Sequence, residues 1–78
     1  MAWGKTEEVT FVIKKHFGNL SGAEGGWQKE VNLVSWNGKP EKLDIRDWNP
    51  DHTKMGKGIT FTEDEARKLL SILKEVLV

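Results

Sequence analysis

Asp44, Asp47, Asp51 and His52 fall within nine residues. Three carboxylates and an imidazole at that density are the raw material of a divalent-metal site or of acid–base hydrolysis. The spacing opposes both. In an extended segment Asp44 and Asp47 differ in parity and leave the backbone on opposite faces. Asp51 closes an Asn49-Pro50-Asp51 run, where an aspartate serves local turn hydrogen bonding. The other imidazole, His16, has no partner at a recognisable spacing. Two histidines and no cysteine leave a structural zinc site short of ligands. Gly56-Lys57-Gly58 loosely resembles a phosphate-cradling loop, but it lacks the full P-loop pattern and leads into a strand. No enzymatic site, cofactor or small-molecule substrate is expected.

A different chemistry is carried by Trp36, Trp48 and Arg46, with Lys39 just past a turn. Flat aromatic rings among cations suit single-stranded nucleic acid. Bases stack on the rings while the cations track phosphates. A duplex keeps its bases inside and gains nothing from exposed rings. Pattern alone also allows Trp36 and Trp48 to be core or dimer-interface residues, because strand parity flips at any bulge. Trp27 reads as a packing residue. Trp3 belongs to a terminal stretch, 1–6, expected to be loosely ordered.

The elements that must position these residues are legible as alternations. Residues 7–17 place Val9, Phe11, Ile13 and Phe17 on one parity, which predicts a half-buried strand. Residues 18–26 hold four of the eight glycines and read as a loop. Residues 27–36 form a second strand, with Val31 and Leu33 on one face and Asn32, Val34 and Trp36 on the other. Asn37-Gly38 then predicts a tight hairpin, since both residues tolerate positive φ. In the third strand, 42–48, Leu43 and Ile45 point one way; Lys42, Asp44, Arg46 and Trp48 point the other. A fourth strand over 58–62 turns Ile59 and Phe61 inward. Thr62 and Glu65 make a capping box, and Ala66, Leu69, Leu70, Leu73, Val76 and Leu77 continue at helical spacing. The expected fold is α+β: a four-stranded antiparallel sheet followed by a C-terminal helix, ββββα, in one domain over 1–78. One sheet face should lie under the helix and the other, with the tryptophans, should be open.

Composition limits the partners. Twelve basic and twelve acidic residues give no net charge, so any cationic surface must come from sorting charge between faces. Leu, Ile, Val and Phe number 20 of 78 residues, enough to fold. A chain this short usually needs a staple, and without disulfide or metal the remaining one is self-association. A homodimer is therefore expected. No apolar stretch is long enough to span a membrane, and no secretory signal is visible. A cytoplasmic, nucleoid-associated location is expected, so Asn19-Leu20-Ser21 is read as a chance sequon.

Three pieces occur in order: WNGK at 36–39, LDIRDW at 43–48 and KGIT at 57–60, followed by an acidic helix start. Together they resemble the single-strand-binding domain of the eukaryotic transcriptional coactivator positive cofactor 4, and more closely its small bacterial YdbC-like members. The likeness is strong over about half the chain, from Trp27 to Phe61. It implies four curved antiparallel strands and a helix, a homodimer, and non-catalytic binding of single-stranded DNA, sometimes RNA, on the concave sheet surfaces. By position it implies that Trp36 and Trp48 stack on bases and that Lys39, Arg46, Lys57 and Lys29 meet phosphates. Asn37 and Val34 stand where the eukaryotic domain carries a lysine and an arginine. The serine- and lysine-rich N-terminal arm is absent, so a coactivator role does not carry over.

The expectation is a dimeric single-stranded DNA-binding protein with little sequence preference, acting in transcription, replication or repair. Its site is Trp36, Asn37, Lys39, Arg46, Trp48, Lys57 and Lys29. An RNA-binding or annealing protein, and a protein-interaction module built on exposed tryptophans, are the alternatives.

Overall fold

The computed structural model describes residues 9–21 and 26–77. The stretch 1–6 with Trp3, and the centre of the glycine-rich loop, lie outside the described residues. Four strands follow in chain order: β1 (Phe11–Asn19), β2 (Gln28–Trp36), β3 (Lys42–Trp48) and β4 (Met55–Phe61). Each pairs antiparallel with the next, giving the sheet order β1-β2-β3-β4, and α1 (Glu63–Val76) follows. The ββββα order is as expected.

Two local signals form as their chemistry requires. Asn37 and Gly38 adopt φ of 52° and 76°, and the Lys39 N–H donates to the Trp36 carbonyl at 2.9 Å to close the hairpin tip. That tip is pinned to the start of β1. The Asn37 N–H donates to the Thr10 carbonyl at 2.8 Å, and Asn37 Oδ1 accepts from the Thr10 N–H at 2.9 Å. At the helix start, Thr62 Oγ1 accepts from the Glu65 N–H at 3.2 Å and Glu65 Oε1 accepts from the Thr62 N–H at 2.9 Å. Both members of the capping box are made.

β1 does not keep one parity. Its register with β2 shifts between Ile13 and Lys15 and again between His16 and Gly18. Phe11 and Ile13 pair with Trp36 and Val34, Lys15 with Leu33, and His16 with Asn32. Each shift inserts an extra residue, flips the faces and bends the strand. Phe17 accordingly joins Leu33, Leu43, Phe61 and Ala66 on the helix side rather than Phe11 and Ile13. β4 begins at Met55, three residues earlier than predicted, because it contains a similar shift opposite Asp47.

The position of the core is the main departure from expectation. Val34, Trp48, Asn32 and Asp44 are wholly out of solvent. All four belong to the even parity of β2 and β3, the face opposite the helix. Leu33, Leu43 and Ile45, on the helix side, are only partly buried, and α1 has no buried residue. Curvature explains this. Phe11 pairs at the Trp36 end of β2, whereas Trp48 pairs with Gln28 at the other end. A straight strand would separate those ends by about 26 Å. The Phe11 and Trp48 ring centroids nevertheless lie 5.0 Å apart. The sheet curls so far that its even face is the inside of the curve and fills itself. Phe11 also meets Trp36, with centroids 5.8 Å apart, and Trp48 meets His52 at 5.3 Å. The tryptophans lie on the predicted side, but that side is not open.

Phe11→Ala should therefore lower stability by about 3 kcal/mol, near the low end for removing a core phenylalanine because Phe11 keeps some exposure. Chemical denaturation would read the loss. A red shift of tryptophan emission in the folded baseline should accompany it as Trp48 meets water.

Candidate nucleic-acid interface

At the rim of the curve, beside the hairpin tip, lies an open pocket of about 410 Å³. Trp36, Asn37, Lys39 and Pro40 line it from the tip, Lys42 and Arg46 from β3, and Thr60 from β4. Strand alternation brings them together. Lys42, Asp44 and Arg46 share a parity, and Asp44 pairs with Thr60. Arg46 lies over the Trp36 ring, with Cζ 4.7 Å from its centroid, within cation–π range.

Arg46 is not a free cation. Its Nε and Nη2 donate to the two oxygens of Asp44 at 2.7 and 2.8 Å, a bidentate fork. Asp44 is fully buried and Arg46 nearly so. The Arg46 Nη1 also donates to the Gly56 carbonyl at 3.4 Å. The arrangement needs a glycine opposite: a Cβ on Gly58 would run into Arg46 Cβ and lie 2.6 Å from the Ile45 carbonyl oxygen. Arg46 therefore offers a held, planar guanidinium, while its charge compensates Asp44. The uncompensated positive charge of the pocket comes from Lys39 and Lys42, both exposed. Lys42 was outside the expected site, although it has the parity of Arg46.

Of the residues proposed from sequence, Trp36, Asn37, Lys39 and Arg46 line this one pocket. Asn37 is there mainly as a tie, its Oδ1 held by Thr10. The expectation of an uncovered Trp48 is corrected: the ring is completely enclosed between Phe11 and His52, so no base can reach it without opening the core. Its role here is to support Phe11, which in turn backs Trp36. Lys29 pairs with Asp47 and so has the parity opposite to Trp36. Lys57 falls in the register shift opposite Asp47 and is not part of the pocket lining. A correspondence by position carried both lysines to the site, and strand alternation takes them away from it. Trp27, read as packing, is 45% exposed.

A second cluster on the concave face was not foreseen. Glu30 is buried, and its carboxylate accepts from His52 Nε2 at 3.0 Å and from Asn32 Nδ2 at 3.1 Å. His16 Nδ1 lies 2.7 Å from Asn32 Oδ1 and 3.6 Å from Glu30 Oε1. His52 reaches inward from a left-handed backbone, φ 59°. Burial pushes the Glu30 carboxyl up, but hydrogen bonds from Asn32 and His52 and the nearby imidazoles outweigh it and hold the group below its ordinary value of 4.5. The only hint in the sequence was that Glu30 and Asn32 share the parity of Trp36. Their histidine partners come from β1 and from the turn after β3, at separations that no local pattern links.

Arg46→Ala should cost about 3–5 kcal/mol, because it strands the Asp44 carboxylate in the core, whereas Arg46→Ala with Asp44→Leu should cost less. Urea denaturation of both variants tests this coupling. Glu30 binds its proton less readily when folded than when unfolded. Its stabilising contribution is therefore complete above about pH 4.5 and is lost as pH falls through the depressed folded value. Glu30→Gln should flatten that part of the acid denaturation profile.

Comparison with known proteins agrees with this architecture. The family model described as Transcriptional Coactivator p15 (PC4) matches residues 23–72, which run from before β2 into α1. An uncharacterised protein of Treponema pallidum (strain Nichols) is 41% identical over 70 residues, covering 90% of this chain and 82% of the relative. With its strand order, its curled sheet and its trailing helix, the chain belongs to the transcriptional coactivator p15 (PC4) family.

Proposed function

We propose that the protein is a non-catalytic single-stranded DNA-binding protein with little sequence preference. The observation that carries this reading is the Trp36–Arg46 stack, open to a pocket flanked by Lys39 and Lys42. A base entering the pocket meets the guanidinium plane and the accessible part of the indole, surfaces that accept any nucleobase. The two lysines stand where the phosphates on either side of that base would run. A base-paired strand has no free base to insert, which makes the pocket selective for single strands. The family's description as a transcriptional coactivator supports a role near exposed strands in transcription, and the same chemistry serves replication or repair.

The active form in this reading is a homodimer. Leu70, Leu73 and Val76 of α1 and its C-cap Leu77 are 41–75% exposed, and Ile59 beside the helix is 54% exposed. An amphipathic helix with its apolar stripe this bare lacks a partner surface. A second copy supplies the same stripe.

Fluorescence titration with oligo-dT tests the site. Trp36→Ala should weaken binding by roughly 5- to 150-fold, corresponding to stacking of about 1–3 kcal/mol, with the salt dependence nearly intact. Lys39→Ala and Lys42→Ala should each lower the slope of log affinity against log salt by about 0.7. Equal affinity for duplex, or an unaffected Trp36→Ala variant, would overturn the reading. Competition with a matched RNA oligomer separates DNA from RNA preference. Leu73→Glu should shift the sedimentation coefficient towards that of a monomer.

A further inference from the structure

We propose that His16 and His52 form a second phosphate subsite in the concave groove, which becomes cationic by taking up protons and couples single-strand binding to pH. The inference rests on the reading of the rim pocket as a single-strand site.

The hydrogen bonds fix where protons already sit. An ionised carboxylate only accepts, so Asn32 Nδ2 donates to Glu30 and the amide orientation is set. Asn32 Oδ1 then faces His16 Nδ1, which must be the protonated nitrogen of that ring. His52 Nε2 faces both Glu30 oxygens at 3.0 Å and must likewise carry its proton. The nitrogen left over, Nε2 of His16 and Nδ1 of His52, is the one on which a neutral ring would carry its lone pair. Protonation there breaks none of these bonds and places a positive ring beside the Glu30 carboxylate.

The cluster opens to solvent through a pocket of about 270 Å³ that Ile13, Asn19 and Gln28 complete. The His16 and His52 side chains are 50% and 38% exposed, against 8% for Glu30. The acid is inside and the bases are outside. With both rings neutral, the cluster presents one negative charge to an incoming strand; with both protonated, one positive charge. The other charged groups nearby do not cancel this change. From β3, Asp44 lies beside Asn32 in register but is held by Arg46. In the turn, Asp51 is engaged by Thr53. Lys15 of β1 and Lys29 of β2 have the opposite parity, and Lys14 sits in the first register shift. Among the described residues no three ligating side chains are placed to hold a metal ion. Glu30 and Trp36 share one face of β2 and stand about 20 Å apart along the strand, so an oligonucleotide of several nucleotides seated in the rim pocket is long enough to reach the cluster.

The experiment is oligo-dT binding at fixed salt from about pH 8 to about pH 5.5, across which histidine is the side chain able to change charge. Thymine does not titrate there. Affinity should rise tenfold or more as pH falls, and the salt slope should steepen by up to about 1.4, the release expected for two cations. His16→Gln with His52→Asn should reduce the pH effect to twofold or less; asparagine is chosen because it tolerates the left-handed backbone. Should that variant unfold, proton NMR of the parent protein decides. By linkage, oligo-dT must raise the pH at which both imidazoles titrate. Binding that ignores pH, with imidazole titrations unmoved by oligo-dT, overturns the subsite and leaves the rim pocket standing. Absence of binding at every pH overturns the reading of the rim pocket and the subsite with it.

Discussion

Phe11 and Trp48 start from strand positions at opposite ends of β2 and still touch. No flat sheet permits that contact. It requires β1 to bend over the even face, which its two register shifts allow, and it makes the inside of the curve the hydrophobic centre of the molecule. The rest follows from this geometry. Trp36 is backed by Phe11, Arg46 is laid across Trp36, and the hairpin tip is tied to the start of β1. The side facing α1 is left as the poorly filled one, the reverse of the usual two-layer arrangement in which the helix covers the core.

The carboxylates enter this centre only with their partners, whereas Nε1 of Trp36 and of Trp48 is buried with no hydrogen-bond partner among the described residues. Asp44 brings Arg46, and Glu30 brings Asn32 and His52. Burying a carboxylate alone would cost several kcal/mol, and each cluster offsets that with charge-assisted hydrogen bonds. The chain has no net charge, twelve basic residues against twelve acidic ones. The difference between the faces is one of engagement. Asp44 and Glu30 are tied up inside, while Lys39 and Lys42 are exposed at the rim and make no ion pair among the described residues. Even a neutral protein can present a cationic edge when its acids are the buried partners.

What the sequence made legible was local. Asn37-Gly38 announces a turn because two adjacent residues must accept positive φ, and Thr62 with Glu65 announces a helix because both caps lie within one turn. The alternation in β2 and β3 assigned Trp36, Trp48 and Arg46 to one face correctly. It could not tell which face would be filled, since that depends on the bends in β1. The bends cannot be read from residues whose hydrophobic alternation looks unbroken from Val9 to Ile13. For the same reason Phe17 was assigned to the wrong side. The Glu30 cluster was invisible because its members come from β1, β2 and a distant turn. Lys29 and Lys57 show the complementary limit: matching a residue to a family position says nothing about its face, which alternation decides for Lys29 and a register shift for Lys57.

The meander order leaves β1 and β4 as the outermost strands, each with one unpaired row of backbone donors and acceptors. Such rows template aggregation unless they are spoiled. Here both are. β1 carries Lys14 and Lys15 at its first irregularity, and β4 carries Lys57 between two glycines at its own. A neighbouring molecule that tried to extend the sheet would meet a kinked ladder and an ammonium it must desolvate. Placed there, Lys57 disfavours edge-to-edge pairing whether or not it meets a ligand.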